Sequence, residues 1–271
     1  AKAGDEITVS FTVDDDMLAT PTATIDSQAA TVAVDGAHPN YTAKYTTVGG
    51  TTEGVITFTL NFTDEAGNAA TTISAVTDAT SVNFDNTAPT ATAVSIASNN
   101  ATTSVAKTGD IITVSFTVDD DLLATPTATI DGQAATVAVS GAHPNYTATY
   151  TTIGTTTEGA IAFTLDFTDE VGNAATQVTA VTDASSVTFD RTAPTATSVS
   201  IASNNADTTK AKLGDIVTVS FTVDDDMLAT PTATIQTQTA TVAVDGAHPN
   251  YKATYTMLVT DTEGAVAFTL D

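Results

Sequence analysis

The residues of this sequence whose types and spacing could do chemistry are its aspartates. They form three triplets, each directly after a run of alternating apolar residues: Asp14, Asp15 and Asp16; Asp119, Asp120 and Asp121; and Asp224, Asp225 and Asp226. Carboxylates are good ligands for Ca²⁺, which takes six to eight oxygen atoms at about 2.3–2.6 Å. One triplet cannot supply that many ligands, so a calcium site needs oxygen atoms from elsewhere in the chain.

Two recurring phrases contain such oxygen atoms. The phrase Asp-Glu-x-Gly-Asn reads as a hairpin, and the phrase Asp-x-Thr-Ala-Pro reads as a linker. Their candidate ligands are Asp64 and Asn68, Asp169 and Asn173, and the linker residues Asp85 and Asp190.

The expected fold brings these groups together. In a β-sandwich, the loop after the second strand and the hairpin before the last strand lie at one end, where the incoming linker also enters. We therefore expect Asp85 to meet Asp119–Asp121, Asp169 and Asn173, and Asp190 to meet Asp224–Asp226 at the next junction. The sequence thus predicts calcium sites at the junctions between domains.

Two other interpretations of the acids remain open. Aspartate favours turns for its own hydrogen bonding, without any metal. Adaptation to high salt would also enrich acids, but it should coat the strand faces, which carry mostly Thr, Ser and Ala. The concentration of acids at turns favours ligand loops.

No catalytic constellation is found in the sequence. His38, His143 and His248 each lie in Gly-Ala-His-Pro-Asn, and one imidazole per repeat indicates a turn residue, not a catalytic triad or zinc site. Nucleotide-binding glycine loops and the Gly-x-Ser-x-Gly motif are absent. We expect a protein that is not an enzyme.

A lysine also recurs in each repeat. Lys2, Lys107 and Lys212 precede Gly-Asp, and we expect them to cap an acidic loop. An isopeptide crosslink to asparagine is the alternative for these lysines.

Charge and composition exclude several classes of partner. The chain has 32 Asp and Glu against 7 Lys and Arg, a net charge of −25. This balance argues against nucleic acid and against anionic membrane surfaces, both of which require basic clusters. There is no cysteine, so disulfides and thiol chemistry are excluded. No apolar run approaches the length of a membrane helix and no signal peptide begins the chain, so we expect any export signal to lie outside this sequence.

The chain repeats itself every 105 residues. Phe11, Phe116 and Phe221 occupy the same phrase, Ser-Phe-Thr-Val-Asp-Asp-Asp, and the period is the size of an immunoglobulin-like domain. We predict copy 1 at residues 1–87 without its first strand, a complete copy 2 at 88–192, and copy 3 at 193–271 without its last strands. The outer copies are expected to need strands from further chain or from a second molecule.

Alternation of apolar and polar residues predicts the strands of copy 2. Val94 and Ile96, Ile112 to Val118, and Ile161 to Phe167 each place apolar side chains on one face, with Thr and Ser on the other. Asp131-Gly132 predicts a tight turn. The fold class is therefore all-β, with tandem immunoglobulin-like Greek-key sandwiches in a linear rod.

The phrases Asp85-Asn86-Thr87-Ala88-Pro89-Thr90, Ser98-Asn99-Asn100 and Asp64-Glu65-Ala66-Gly67-Asn68 resemble the bacterial immunoglobulin-like tandem repeats of giant extracellular adhesins and biofilm-associated surface proteins. The resemblance implies extender domains that hold an adhesive domain away from the cell, and it implies calcium at domain junctions.

Together these observations predict the structural stalk of a cell-surface adhesin, extracellular and stiffened by Ca²⁺. Its expected partners are neighbouring repeats of the same or like chains, without nucleic acid or membrane insertion. The alternative is a subunit of a self-assembling extracellular filament or surface layer. Ice binding by the Thr-rich strands is a further alternative, although Thr is also an ordinary exposed strand residue.

Overall fold

A computed structural model describes residues 1–225, 227 and 229–271 of the chain. Every regular element among these residues is a β-strand, which confirms the predicted all-β, immunoglobulin-like sandwich fold. None of the described residues belongs to a helix long and apolar enough to cross a membrane. The chain divides into two compact units, Ala1–Arg191 and Thr192–Asp271.

Copy 2 has the fullest set of strands. They are β9 (Ala91–Ser98), β10 (Val105–Ala106), β11 (Ile111–Val118), β12 (Thr127–Ile130), β13 (Gln133–Ala134), β14 (Thr136–Val139), β15 (Asn145–Thr151), β16 (Gly159–Ala160), β17 (Phe163–Asp166) and β18 (Thr188–Phe189). One sheet has the order β14-β15-β11-β9 and the other β13-β12-β17, both antiparallel. In a small third sheet, β18 pairs with β16 and runs parallel to β10.

The core of copy 2 lies between its two larger sheets. β11 buries alternate residues, Ile112, Val114, Phe116 and Val118, as its sequence pattern predicts. Leu165 and Ile130 from the opposite sheet pack in the same cluster, and both are fully buried. Thr and Ser occupy the alternate positions of β11 because these positions face away from the core.

The predicted strand Ile161 to Phe167 forms a ladder over a shorter range than its alternation suggests. Only Phe163–Asp166 pair as β17, although Ile161 and Phe167 are also buried. The Ile161 amide instead donates to the Val187 carbonyl, beside β18. The sequence pattern therefore identified the buried face correctly but overestimated the length of the ladder.

Copies 1 and 3 use the same pairings. Copy 1 contains β1 (Glu6–Thr12), β2 (Thr22–Ile25), β3 (Gln28–Ala29), β4 (Thr31–Val34), β5 (Asn40–Thr46), β6 (Gly54–Val55), β7 (Phe58–Asn61) and β8 (Asn83–Phe84). Its sheets are β1-β5-β4, β3-β2-β7 and β6-β8. Copy 3 contains β19 (Ala196–Ser203), β20 (Ile216–Val223), β21 (Ala233–Ile235), β22 (Gln238–Thr239), β23 (Thr241–Val244), β24 (Asn250–Thr256) and β25 (Phe268–Leu270), in sheets β19-β20-β24-β23 and β22-β21-β25.

The β12–β13 turn adopts the conformation that its sequence predicts. Asp131 and Gly132 have φ values of 53° and 68°, which a two-residue hairpin with the twist of its strands requires. At the second turn position copy 3 has Thr237, with a φ of 63°. A β-branched residue is strained in this region, so the turn conformation is imposed by the flanking strands.

Candidate metal centre

The hairpin Asp169–Asn173 is organised around the Asp169 carboxylate. Its Oδ1 accepts hydrogen bonds from the backbone amides of Val171 (3.0 Å) and Asn173 (2.7 Å). Its Oδ2 accepts one from the Asn173 side chain at 2.7 Å. Gly172 has a φ of 90°, a conformation that favours glycine, and its amide donates to the Asp169 carbonyl. The phrase Asp-Glu-x-Gly-Asn therefore folds locally into a rigid acidic hairpin.

The loop after β11 lies against this hairpin. The Glu170 amide donates to the Asp121 carbonyl at 3.0 Å, and Leu122 forms a β-bridge with Asp169. Within the triplet, the Asp121 amide donates to Oδ1 of Asp120 at 2.7 Å. These contacts fix the loop and place the Asp120 carboxylate beside Asp169.

The linker that leaves copy 1 enters at the same place. Asp85 directly follows β8, and its amide donates to the Ala1 carbonyl at 2.8 Å. The Asn173 side chain of copy 2 donates to the Asp85 carbonyl at 3.1 Å. Linker, loop and hairpin thus meet within the first unit, at one end of copy 2.

Three carboxylates converge there. Asp85, Asp120 and Asp169 each place one oxygen atom within 4.8 Å of the others. Asp169 has no exposed surface, whereas Asp85 and Asp120 are half-buried. Among the described residues, no Lys, Arg or His forms an ion pair with any of the three. Two negative charges about 4 Å apart repel by about 4 kcal/mol at an effective dielectric of about 20, and a cation bound between them would relieve this repulsion.

The donor set fits a hard divalent cation. Three carboxylates supply between three and six oxygen atoms, and backbone carbonyls and water would complete the six to eight that Ca²⁺ takes. No nitrogen or sulfur ligand lies in the group, which disfavours zinc and copper.

Copy 1 provides an internal comparison for the hairpin. Asp64 receives hydrogen bonds from Asn68, through its backbone amide (2.7 Å) and its side chain (2.8 Å), as Asp169 does from Asn173. These hydrogen bonds lower the pKa of Asp64, and the bond from the Asn68 side chain has the largest effect. Asp64 is nevertheless partly exposed. In copy 2 the linker of copy 1 lies against the equivalent hairpin, and Asp169 there is fully buried.

The remaining predicted ligands have other surroundings. Asp119 accepts hydrogen bonds from the backbone amide (2.7 Å) and hydroxyl (2.6 Å) of Thr90, and its neighbour Asp121 lies 3.6 Å from Nδ1 of His143. In copy 1, Asp14, Asp15 and Asp16 are all exposed.

In copy 3, Asp224 binds Thr195 as Asp119 binds Thr90. Asp226 lies outside the described residues, and the predicted meeting of Asp190 with Asp224 and Asp225 stays a prediction.

Sequence reasoning missed two residues at this end of copy 2. Thr90 is the partner of Asp119, and Lys2 donates from its Nζ to the Gly172 carbonyl at 2.6 Å. The lysine recurs with the 105-residue period, which marks it as a structural position. Nothing in the sequence shows that its side chain reaches a neighbouring repeat.

No protein-family model and no curated protein matches the chain. Among solved structures, it is similar to two marsupial T cell receptor chains, at 7% and 8% identity with TM-scores of 0.36 and 0.28, covering 100% of this chain and 96% of each receptor chain. It is also similar to SGBP-B of the Bacteroides ovatus mixed-linkage glucan utilization locus, in complex with a mixed-linkage heptasaccharide. That match has 14% identity and a TM-score of 0.21, and it covers 99% of this chain and 68% of the other. Similarity at these identities concerns the fold and not the function.

Proposed function

We propose that the chain is part of the extracellular stalk of a cell-surface adhesin, in which Ca²⁺ bound between successive repeats stiffens the chain. The observation that carries this proposal is the meeting of Asp85 from copy 1 with Asp120 and Asp169 from copy 2. A fully buried carboxylate at the meeting of two repeats, beside two other acids, suits a structural cation better than a turn residue.

The role is mechanical and not catalytic. The three copies share their strand pairings and an aspartate triplet after the same strand, and the partners of each copy are the repeats on either side. The net charge of −25 keeps such a chain soluble, and it also disfavours nucleic acid and anionic membranes as partners.

Calcium binding at this site would stabilise the folded chain. A ligand that binds only the folded form stabilises it by about 2.7 kcal/mol at a hundredfold excess over its Kd. Extracellular calcium modules bind with a Kd of about 10⁻⁴–10⁻³ M, so the site would fill outside the cell and empty where calcium is scarce.

Calorimetric titration with Ca²⁺ tests this function. We expect Asp120→Asn and Asp169→Asn each to bind one ion fewer per chain than the unaltered protein. The matched controls are Asp15→Asn and Asp64→Asn, which change the equivalent residues of copy 1 and should keep the full number of bound ions. Equal calcium binding by all four variants and the unaltered chain would refute the site.

A further inference from the structure

A side chain of copy 1 contacts the hairpin of copy 2 directly. The Lys2 ammonium donates a hydrogen bond of 2.6 Å to the Gly172 carbonyl, 170 residues away. A methyl group placed on Gly172 would lie 3.1 Å from the Lys2 nitrogen, so the ammonium packs closely on the glycine. Hydrogen bonds from a charged donor are stronger than neutral ones, particularly when partly buried as here.

The hairpin also contacts the other end of copy 1. The Asn173 side chain donates to the Asp85 carbonyl, and the Asp85 amide in turn donates to the carbonyl of Ala1, the neighbour of Lys2. The first and last segments of copy 1 therefore form one surface. That surface holds Gly172 and Asn173 by two adjacent hydrogen bonds.

The equivalent lysine of copy 2 behaves differently. Lys107 forms an ion pair of 2.9 Å with Asp110 in its own repeat. Lys2 precedes Asp5 in the same phrase, but the Asp5 carboxylate accepts its hydrogen bond from the backbone amide of Lys2 and not from the ammonium. The Lys2 side chain is thus directed to the neighbouring repeat.

The hairpin needs no docking to form. Gly67 of copy 1 has a φ of 91°, and the equivalent Gly172 has a φ of 90°. A methyl group on Gly67 would meet open space, whereas one on Gly172 would meet Lys2. The Asp-Glu-x-Gly-Asn hairpin therefore forms in copies 1 and 2 alike, and in copy 2 the lysine contact is added to it.

From these contacts we infer that Lys2 is an interdomain latch, whose ammonium docks on the preformed hairpin of the next repeat and keeps the two repeats in contact when no metal is bound. The inference deepens the proposed stalk function, because it identifies the partner surface on each side of the junction. It does not depend on calcium, since neither Lys2 nor Gly172 belongs to the three carboxylates.

The Lys2 contact affects how the junction between copies 1 and 2 should respond when calcium is removed. An ammonium is a single, compact positive charge placed beside the acidic hairpin, so it offsets part of the repulsion there. Chelation should therefore loosen the junction and leave the lysine contact in place. Loss of both the calcium ion and the Lys2 ammonium should allow copies 1 and 2 to separate at the junction.

The test measures the distance between copies 1 and 2 in the full chain with chelator present. The chain has no cysteine, so Gln28→Cys and Gln133→Cys, at equivalent exposed positions, give two unique spin-label sites for pulsed electron resonance. We expect Lys2→Met to broaden the distance distribution at least about twofold, as a junction weakened by loss of a charged hydrogen bond would. Lys2→Arg should retain a distribution close to that of the unaltered chain, since Arg also donates to carbonyls.

The matched control is Lys44→Met. It removes the same charge from copy 1 at an exposed pair with Glu6, which takes part in none of the contacts between copies 1 and 2 described above, and should leave the distribution unchanged. Gly172→Ala should broaden the distribution, whereas Gly67→Ala, with the same backbone strain, should not.

Two results would overturn the latch. One is a Lys2→Met distribution that matches that of Lys44→Met, and the other is an unaltered chain that is already as broad as Lys2→Met in chelator. Calcium titration of Lys2→Met separates the two proposals: unchanged ion binding with a broadened junction supports the latch, whatever the outcome of the carboxylate variants.

Discussion

The side-chain amide of Asn173 binds the Asp85 carbonyl at 3.1 Å and the Asp169 carboxylate at 2.7 Å. One residue thereby connects the linker leaving copy 1 to the acid that copy 2 buries. The equivalent Asn68 makes the same bond to Asp64 but remains exposed. A hairpin that copies 1 and 2 both form is thus an interdomain contact in copy 2, where the linker of copy 1 lies against it.

Asp110 gives copy 2 a pH-dependent contribution to stability. Burial raises its pKa, but hydrogen bonds from the Lys107 amide, the Asn100 side chain and the Lys107 ammonium outweigh this and lower the pKa to about 2. A lowered folded-state pKa stabilises the fold above the unfolded value and is lost as the pH falls through the folded one. We expect Asp110→Asn to cost about 2 kcal/mol at neutral pH.

Acid titration of the melting temperature measures that contribution. Between about pH 4 and pH 2 the unaltered protein should lose stability that Asp110→Asn has already lost, so the two melting temperatures should converge. The control is Asp5→Asn, at the equivalent but exposed position of copy 1, which should change the melting temperature little. Parallel curves for Asp110→Asn and the unaltered chain would contradict the assignment.

Asp119 is expected to stabilise the start of copy 2 without metal. Both of its carboxylate oxygens accept hydrogen bonds from Thr90. These bonds lower the pKa of Asp119, and the bond from the Thr90 hydroxyl has the larger effect. Asp119→Ala should therefore cost about 1 kcal/mol in calcium and in chelator alike. The control Asp14→Ala should have little effect, because Asp14 is exposed and no described residue donates a hydrogen bond to its carboxylate. A loss of stability seen only with calcium would instead make Asp119 a ligand.

Glycine at the second position of the β12–β13 turn, and of the equivalent turn in copy 3, should affect the free energy of unfolding. Thr237 of copy 3 and Gly132 of copy 2 occupy it with φ values of 63° and 68°. We expect Thr237→Gly to stabilise copy 3 and Gly132→Thr to destabilise copy 2, each by about 1 kcal/mol, because only glycine is unstrained there. Denaturant unfolding measures both changes, and a loss of stability in Thr237→Gly would show that the threonine side chain contributes more than its backbone strain costs.

Much of the fold could be predicted from the sequence because alternation reports which side chains are buried. Val94, Phe116 and Leu165 were placed in the core from pattern alone, and all are buried. The extent of backbone pairing was less predictable. Ile161 is buried like a strand residue, but its amide binds Val187 instead of extending the ladder of β17.

The candidate site was predictable in its residue types but not in their arrangement. The topology of a sandwich indicated that linker, loop and hairpin share one end. Adjacent aspartates in a loop point in different directions, however, so the sequence could not show that Asp120 joins the group while Asp119 binds Thr90. The side-chain direction of Lys2 depends on the neighbouring repeat, which local sequence does not encode.

The central claim is that calcium stiffens the junction between copies 1 and 2, and the most direct measurement is the distance distribution between labels at Gln28→Cys and Gln133→Cys in calcium and in chelator. In millimolar calcium we predict one narrow distribution, which broadens in chelator. In Asp169→Asn the distribution should be equally broad under both conditions, and in Asp64→Asn it should respond like that of the unaltered chain. An unaltered chain with the same distribution in calcium and in chelator would contradict the claim.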